Sequence, residues 1–130
     1  MPRILLFVLA YLVPTFALGF VWHLKWFHAA YRELDIYRPD VIIPFGFLSM
    51  LLQGIVFAVA YPRFVGDPRA LVSGLLFSAG AAVLSWSFTT LAVAAKHRMT
   101  SVPRFVALET AFTFLQFLLV GPLLVLSARI

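Results

Sequence analysis

Four long apolar runs separated by short polar stretches leave this chain few ways to fold. A helix rises about 1.5 Å per residue and a bilayer's hydrocarbon core is about 30 Å thick, so a run near 20 residues has the length of a membrane-crossing helix. The runs lie at 4–22, 41–61, 70–95 and 105–127 and consume most of the 130 residues. The sequence therefore predicts a single four-span transmembrane domain over 1–130. Charged residues make up 12% of the chain, about half the share usual in soluble domains. The expected fold class is all-α, an integral membrane antiparallel four-helix bundle.

Proline punctuates the runs where helices tolerate it. Pro39 and Pro44 bracket the start of the second run, Pro62 and Pro68 bracket the second connection, and Pro103 precedes the fourth run. Pro14 and Pro122 fall inside runs and predict kinks. The connections 62–69 and 96–104 reach only an adjacent helix, so the spans should alternate up and down with both termini on one side. Lys25, Arg32, Arg38, Lys96, Arg98 and Arg104 then face Arg3, Arg63, Arg69 and Arg129 across the membrane. That bias favours a cytoplasmic location for loops one and three. The net charge of +5 is spread over span ends and loops, which fits anionic lipid headgroups and no nucleic acid. A cleaved signal peptide ending near Ala17-Leu18-Gly19 is a competing reading of the first run. Its length, and Trp22 and Trp26 where a span places interfacial aromatics, favour a retained span.

Trp22 to Tyr37 predicts an amphipathic extension of the first span. At about 100° per residue, Lys25, His28, Arg32 and Asp35 share one stripe, while His23, Trp26, Phe27, Ala30, Leu34 and Tyr37 share the other. Such a helix lies near the headgroups, with Trp22, Trp26, Tyr31 and Tyr37 as an aromatic belt. A weak internal echo pairs Trp22 with Trp86 and Leu52-Gln53 with Leu115-Gln116, the pattern of two helical hairpins.

Glu109 is the acidic residue set several positions inside an apolar run, where keeping a charge is costly. Glu109, Thr113 and Gln116 at i, i+4 and i+7 share a face, as do Ser49 and Gln53 on the second span. Ser78, Ser85 and Thr89 add hydroxyls on the third. Hydrogen bonding between helices explains such seams, and the small series Gly74, Ser78, Ala82 and Ser85 would let helices approach closely. A carboxyl leaving water also becomes a switchable proton or cation site. Because Glu109 follows Arg104 by five residues, it is equally able to sit just below the interface and complement the helix dipole.

The three histidines, His23, His28 and His97, belong to the same membrane side as Glu109. His23 and His28 lie about 140° apart on a helix and do not share one ion easily. His28 falls on the charged stripe, and His97, between Lys96 and Arg98, reads as a headgroup contact. His23 lies on the apolar face at a depth where it could meet Glu109 as a coupled pair.

No H-E-x-x-H, P-loop, G-x-G-x-x-G or nucleophile elbow is present, and the chain has no cysteine for disulfides or thiolate sites. Trp22-His23-Leu24, Ile36-Tyr37-Arg38 and Ile43-Pro44-Phe45-Gly46, continuing to Ser49-Met50-Leu51 and Gln53-Gly54, resemble small bacterial four-span membrane proteins. The resemblance covers span one to span two and implies architecture alone. The leading expectation is a non-enzymatic inner-membrane protein acting through helix–helix or lipid contacts, as a homo-oligomer or small subunit of a membrane partner. No catalytic, cofactor-binding or metal residue is assigned in that reading. The buried polar or proton site is expected from His23, Glu109, Thr113, Gln116, Ser49 and Gln53. The alternative is a small transporter or proton-linked carrier using Glu109, Gln53 and Gln116, and a third is a haem or metal redox subunit using His23 and His97.

Overall fold

The computed structural model describes residues 2–130. It is all-α, with 84% of residues helical and no strand among the described residues. Helix α1 is Pro2–Val21, followed by a π-helical turn Trp22–Trp26 and the short α2, His28–Leu34. Helix α3 is Ile43–Phe64, α4 is Leu71–Trp86 with a π-helical segment Ser87–Leu91 and α5 Ala92–Lys96 continuing it, and α6 is Val102–Arg129. Four helical stretches are long and apolar enough to cross a membrane: Arg3–Trp26, Ile43–Phe64, Leu71–Lys96 and Val102–Arg129.

Local sequence sets the helix ends. Ser101 caps α6 by accepting the Arg104 N–H through its hydroxyl at 3.3 Å, with Pro103 in the first turn where no donor is missed. Pro44 opens α3 in the same way. Pro62 does not end α3, as its place in the second connection predicted; the helix runs on to Phe64 and turns to extended backbone at Val65. In the second half of the third span, Ser87 Oγ donates to the Leu84 carbonyl at 2.7 Å and Thr89 Oγ1 to that of Ser85 at 2.8 Å. Hydroxyls that bond back to the preceding turn compete with the helical ladder, and the π segment falls where they cluster.

Helix α6 packs on both α1 and α4, and α1 also packs on α3. The ring contacts Phe7–Tyr61, Tyr11–Phe57 and Phe16–Phe47 descend along α3 as they climb α1. Near the 65–70 connection, Phe7, Tyr11, Tyr61, Phe117, Val120 and Leu124 form an apolar core with Phe57 and Phe77 packed against it. There α4 and α6 cross at Gly74 and Gly121; a Cβ on Gly74 would lie 2.5 Å from the Gly121 carbonyl oxygen and would also strike Val125. The small-residue series thus serves a contact within the chain. Helices α3 and α4 meet through Phe77, stacked edge-on against Phe57 and Tyr61, and otherwise pack on α1 and α6.

The region after span one departs from the expected single amphipathic helix. The helix widens at Trp22, breaks at Phe27, restarts as α2 and stops at Asp35 in the left-handed conformation, φ 55°. Asp tolerates that conformation because its short side chain bonds locally. Trp22 and Tyr31, expected in a headgroup belt, are buried with Leu34 and Phe105, whereas Trp26 stays exposed. Thr100 ties α2 to the third connection, bonding the Leu34 carbonyl through its N–H at 3.1 Å and the Glu33 carbonyl through Oγ1 at 2.8 Å. Arg104 adds a 2.7 Å ion pair to Glu33.

Candidate functional site

Glu109 lies on the inward face of α6 with 5% of its surface exposed, so it is buried within the protein. Three partners converge on its Oε1. Tyr31 from α2 donates its phenol at 2.7 Å, Tyr37 from the following connection donates at 3.3 Å, and His23 Nε2 lies at 3.2 Å. Trp22 Nε1 donates to the Tyr31 oxygen at 3.0 Å. An indole N–H can only donate, so the Tyr31 proton is free to go to Glu109. Phe112 closes the site, its ring 4.7 Å from that of His23. Burial, and after it the Glu109 carboxylate, push the Tyr31 and Tyr37 phenols well above the ordinary tyrosine range, so both remain protonated donors.

The π turn places His23. Its Nδ1 is 3.0 Å from the carbonyl oxygen of Gly19, which only accepts, so Nδ1 carries a proton. The Nε2 to Oε1 contact then needs a second proton between the two atoms. The contact therefore holds one proton between Nε2 and Oε1, shared by the histidine and the carboxyl group.

A second polar group lies deeper along the same face. Gln116 Nε2 donates to Thr15 Oγ1 at 3.1 Å and to the Tyr11 oxygen at 3.3 Å, and Tyr11 donates to Gln53 Oε1 in a short hydrogen bond. Gln53 Nε2 donates in turn to Ser49 at 2.9 Å. Three helices are linked by this chain of amides and hydroxyls, which satisfies groups that would otherwise stand unpaired in an apolar medium.

Both polar groups border one cavity of about 550 Å³. Its walls come from all four long helices, with Phe16, Phe47, Phe88 and Phe112 as aromatic surface and Ser49, Gln53, Ser85, Thr89, Glu109, Thr113 and Gln116 as polar surface. The cavity is open to the outside, and it lies where α3 and α4 have no packing against each other. A second recess of about 640 Å³ is lined by His28, Tyr31, Arg32, Asp35 and Arg38, and shares His23, Leu24 and Tyr37 with the first. His23, Leu24 and Tyr37 thus form the partition between the charged recess and the cavity.

The six residues expected at a polar site, His23, Glu109, Thr113, Gln116, Ser49 and Gln53, all line this cavity. His28 and His97 are exposed, and His97 borders neither space. Among the described residues, no group of three or more His, Asp or Glu side chains gathers as a metal site would need. Tyr11, Thr15, Tyr31 and Tyr37 were missed in this role. A signal for the first two does exist, since Tyr11, Thr15, Gly19 and His23 recur every four residues on one face of α1. Comparison of the chain with known protein families, curated proteins and solved structures finds no match.

Proposed function

We propose that this chain is an integral membrane protein of the bacterial inner membrane, an antiparallel four-helix bundle that holds an amphiphilic membrane molecule between α3 and α4 and performs no covalent chemistry. The open cavity carries the reading, because it joins aromatic surface to a line of polar groups running from His23 and Glu109 to Gln53 and Gln116. Binding sites for small amphiphiles combine mostly apolar walls with a few placed polar groups in this way. The descending contacts between α1 and α3, and the Ser127 hydroxyl 3.3 Å from the Leu6 carbonyl, support the antiparallel arrangement with neighbouring termini. The bacterial inner membrane is proposed on the resemblance of the first two spans.

Lipid contact is favoured over a partner helix because the Gly74 and Ser78 face, the best small-residue surface, is occupied by α6. The redox reading through His23 and His97 loses support, since both His23 ring nitrogens are engaged by Gly19 and Glu109 and His97 lies away from the cavity. Photolabelling in proteoliposomes tests the proposal. A bilayer-partitioned alkyl diazirine should label Phe16, Met50 and Phe112, which line the cavity and are only part exposed. Adducts confined to outward residues such as Phe45, Val56 and Leu76 would refute it.

A further inference from the structure

The charge arithmetic of the partition defines which amphiphiles the cavity takes. All three hydrogen bonds of Glu109 end on Oε1 and none ends on Oε2, although the side chain borders the cavity. A carboxylate oxygen is therefore left for a guest. His23 from the π turn, Tyr31 from α2 and Tyr37 from the connection bond its Oε1, Tyr11 from α1 lines the cavity farther along, and α3 and α4 contribute no titratable side chain to the cavity. Arg104, on the same helix, is engaged by Glu33. The proton shared with His23 is thus what neutralises Glu109 within the cavity.

From this geometry we infer that the cavity binds lipophilic cations, such as hydrophobic ammonium or phosphonium ions, and that each bound cation replaces the proton shared by His23 and Glu109 as the counter-charge of the carboxylate. The balance is neutral: a cation enters, Glu109 stands as the carboxylate beside a neutral His23, and one proton departs. Because His23 also borders the outer recess, with His28 and Asp35 beside it, that proton has a route that does not cross the guest. The walls suit the same class, since Phe16, Phe47, Phe88 and Phe112 line the cavity and aromatic rings attract cations, an effect strengthened by desolvation. An anion of equal size meets the carboxylate and is repelled.

The inference rests on the amphiphile-binding reading, and its test separates the two. Tetraphenylphosphonium and tetraphenylborate share size and shape and differ in the sign of charge. Calorimetry of the purified protein in neutral detergent should show the phosphonium binding at least about tenfold tighter than the borate, a gap of about 1.4 kcal/mol. In weak buffer near neutral pH, a proton should be released for each phosphonium bound. Glu109→Gln should abolish the preference and His23→Gln the proton release, with circular dichroism and gel filtration reporting whether each variant is folded. Should a variant unfold, the proton count on the unmodified protein decides alone. Equal binding of both ions, or phosphonium binding without proton release, overturns the inference and leaves the cavity reading standing. Binding of neither ion overturns the inference, and cavity photolabelling then reports separately on the reading beneath it.

Discussion

At the end holding both termini, Phe7, Tyr61, Phe117 and Leu124 pack into a dry core and the α4–α6 crossing closes to backbone contact at Gly74 and Gly121. At the opposite end, Trp22, Tyr31, Leu34 and Phe105 surround a buried carboxylate, two π-helical segments widen the helices, and two cavities meet at His23. Tyrosine shows the contrast most plainly. Tyr61 sends its hydroxyl outward to the Pro68 carbonyl at 2.7 Å, while Tyr31 and Tyr37 send theirs inward to Glu109. One end is fixed by shape, which has no alternative at similar energy; the other is fixed by protons and hydrogen bonds, which can be exchanged. On the proposed reading, the first is the anchor and the second the working end.

The sharpest way to break the comparison lies at the anchor. Gly74→Leu should cost about 3 kcal/mol, the upper part of the range for overpacking, because the added atoms meet both the stiff, branched Val125 side chain and the Gly121 backbone. Gly80→Leu, where nothing lies within 4 Å, should be silent in the same detergent-unfolding assay. At the working end, Tyr31→Phe should cost about 1–3 kcal/mol, since it strands the Trp22 N–H and removes a donor to Glu109. A cost similar to that of an exposed substitution would show that the cluster is not closed.

The raised phenols of Tyr31 and Tyr37 predict a directional pH response. Their folded values lie above the unfolded value of about 10, so the stabilisation is fully present below about pH 10 and is lost as pH rises beyond it. Ultraviolet titration should show these two phenolates forming late in the folded protein, and earlier in Glu109→Gln, with the unfolding midpoint dropping only above pH 10. A folded protein whose tyrosines all titrate normally would contradict the burial of this cluster. The smallest effect belongs to Arg104→Ala. Its ion pair with Glu33 is exposed, so about 0.2–1 kcal/mol is expected and should shrink with added salt.

Much of the framework was legible in the sequence because hydropathy and proline report directly on helices in an apolar medium. The expected spans lie over the long helices, although α1 extends through the π turn to Trp26 and α6 begins at Val102. Helical spacing also placed Glu109, Thr113 and Gln116 on one face, and the depth of His23 allowed the pairing that the structure contains. What escaped is physically ambiguous. An amphipathic tyrosine near a span end serves a headgroup belt or a buried hydroxyl equally well, and only the break at Phe27, which folds α2 back over α6, decides between them for Tyr31. No proline, glycine or hydroxyl cluster marks the Trp22–Trp26 π turn, whereas Ser85, Ser87 and Thr89 do flag the second. Tyr11 lay in plain view on the four-residue spacing of α1 but was absorbed into an apolar run.

Nitrogen-15 NMR of histidine-labelled protein near pH 7, with His23→Gln to assign the signal, tests the working end most directly. The account predicts that Nδ1 carries a proton and that the Nε2 signal, reporting the proton shared with Glu109, changes in Glu109→Gln. A His23 with one bare nitrogen, unchanged in Glu109→Gln, would contradict it.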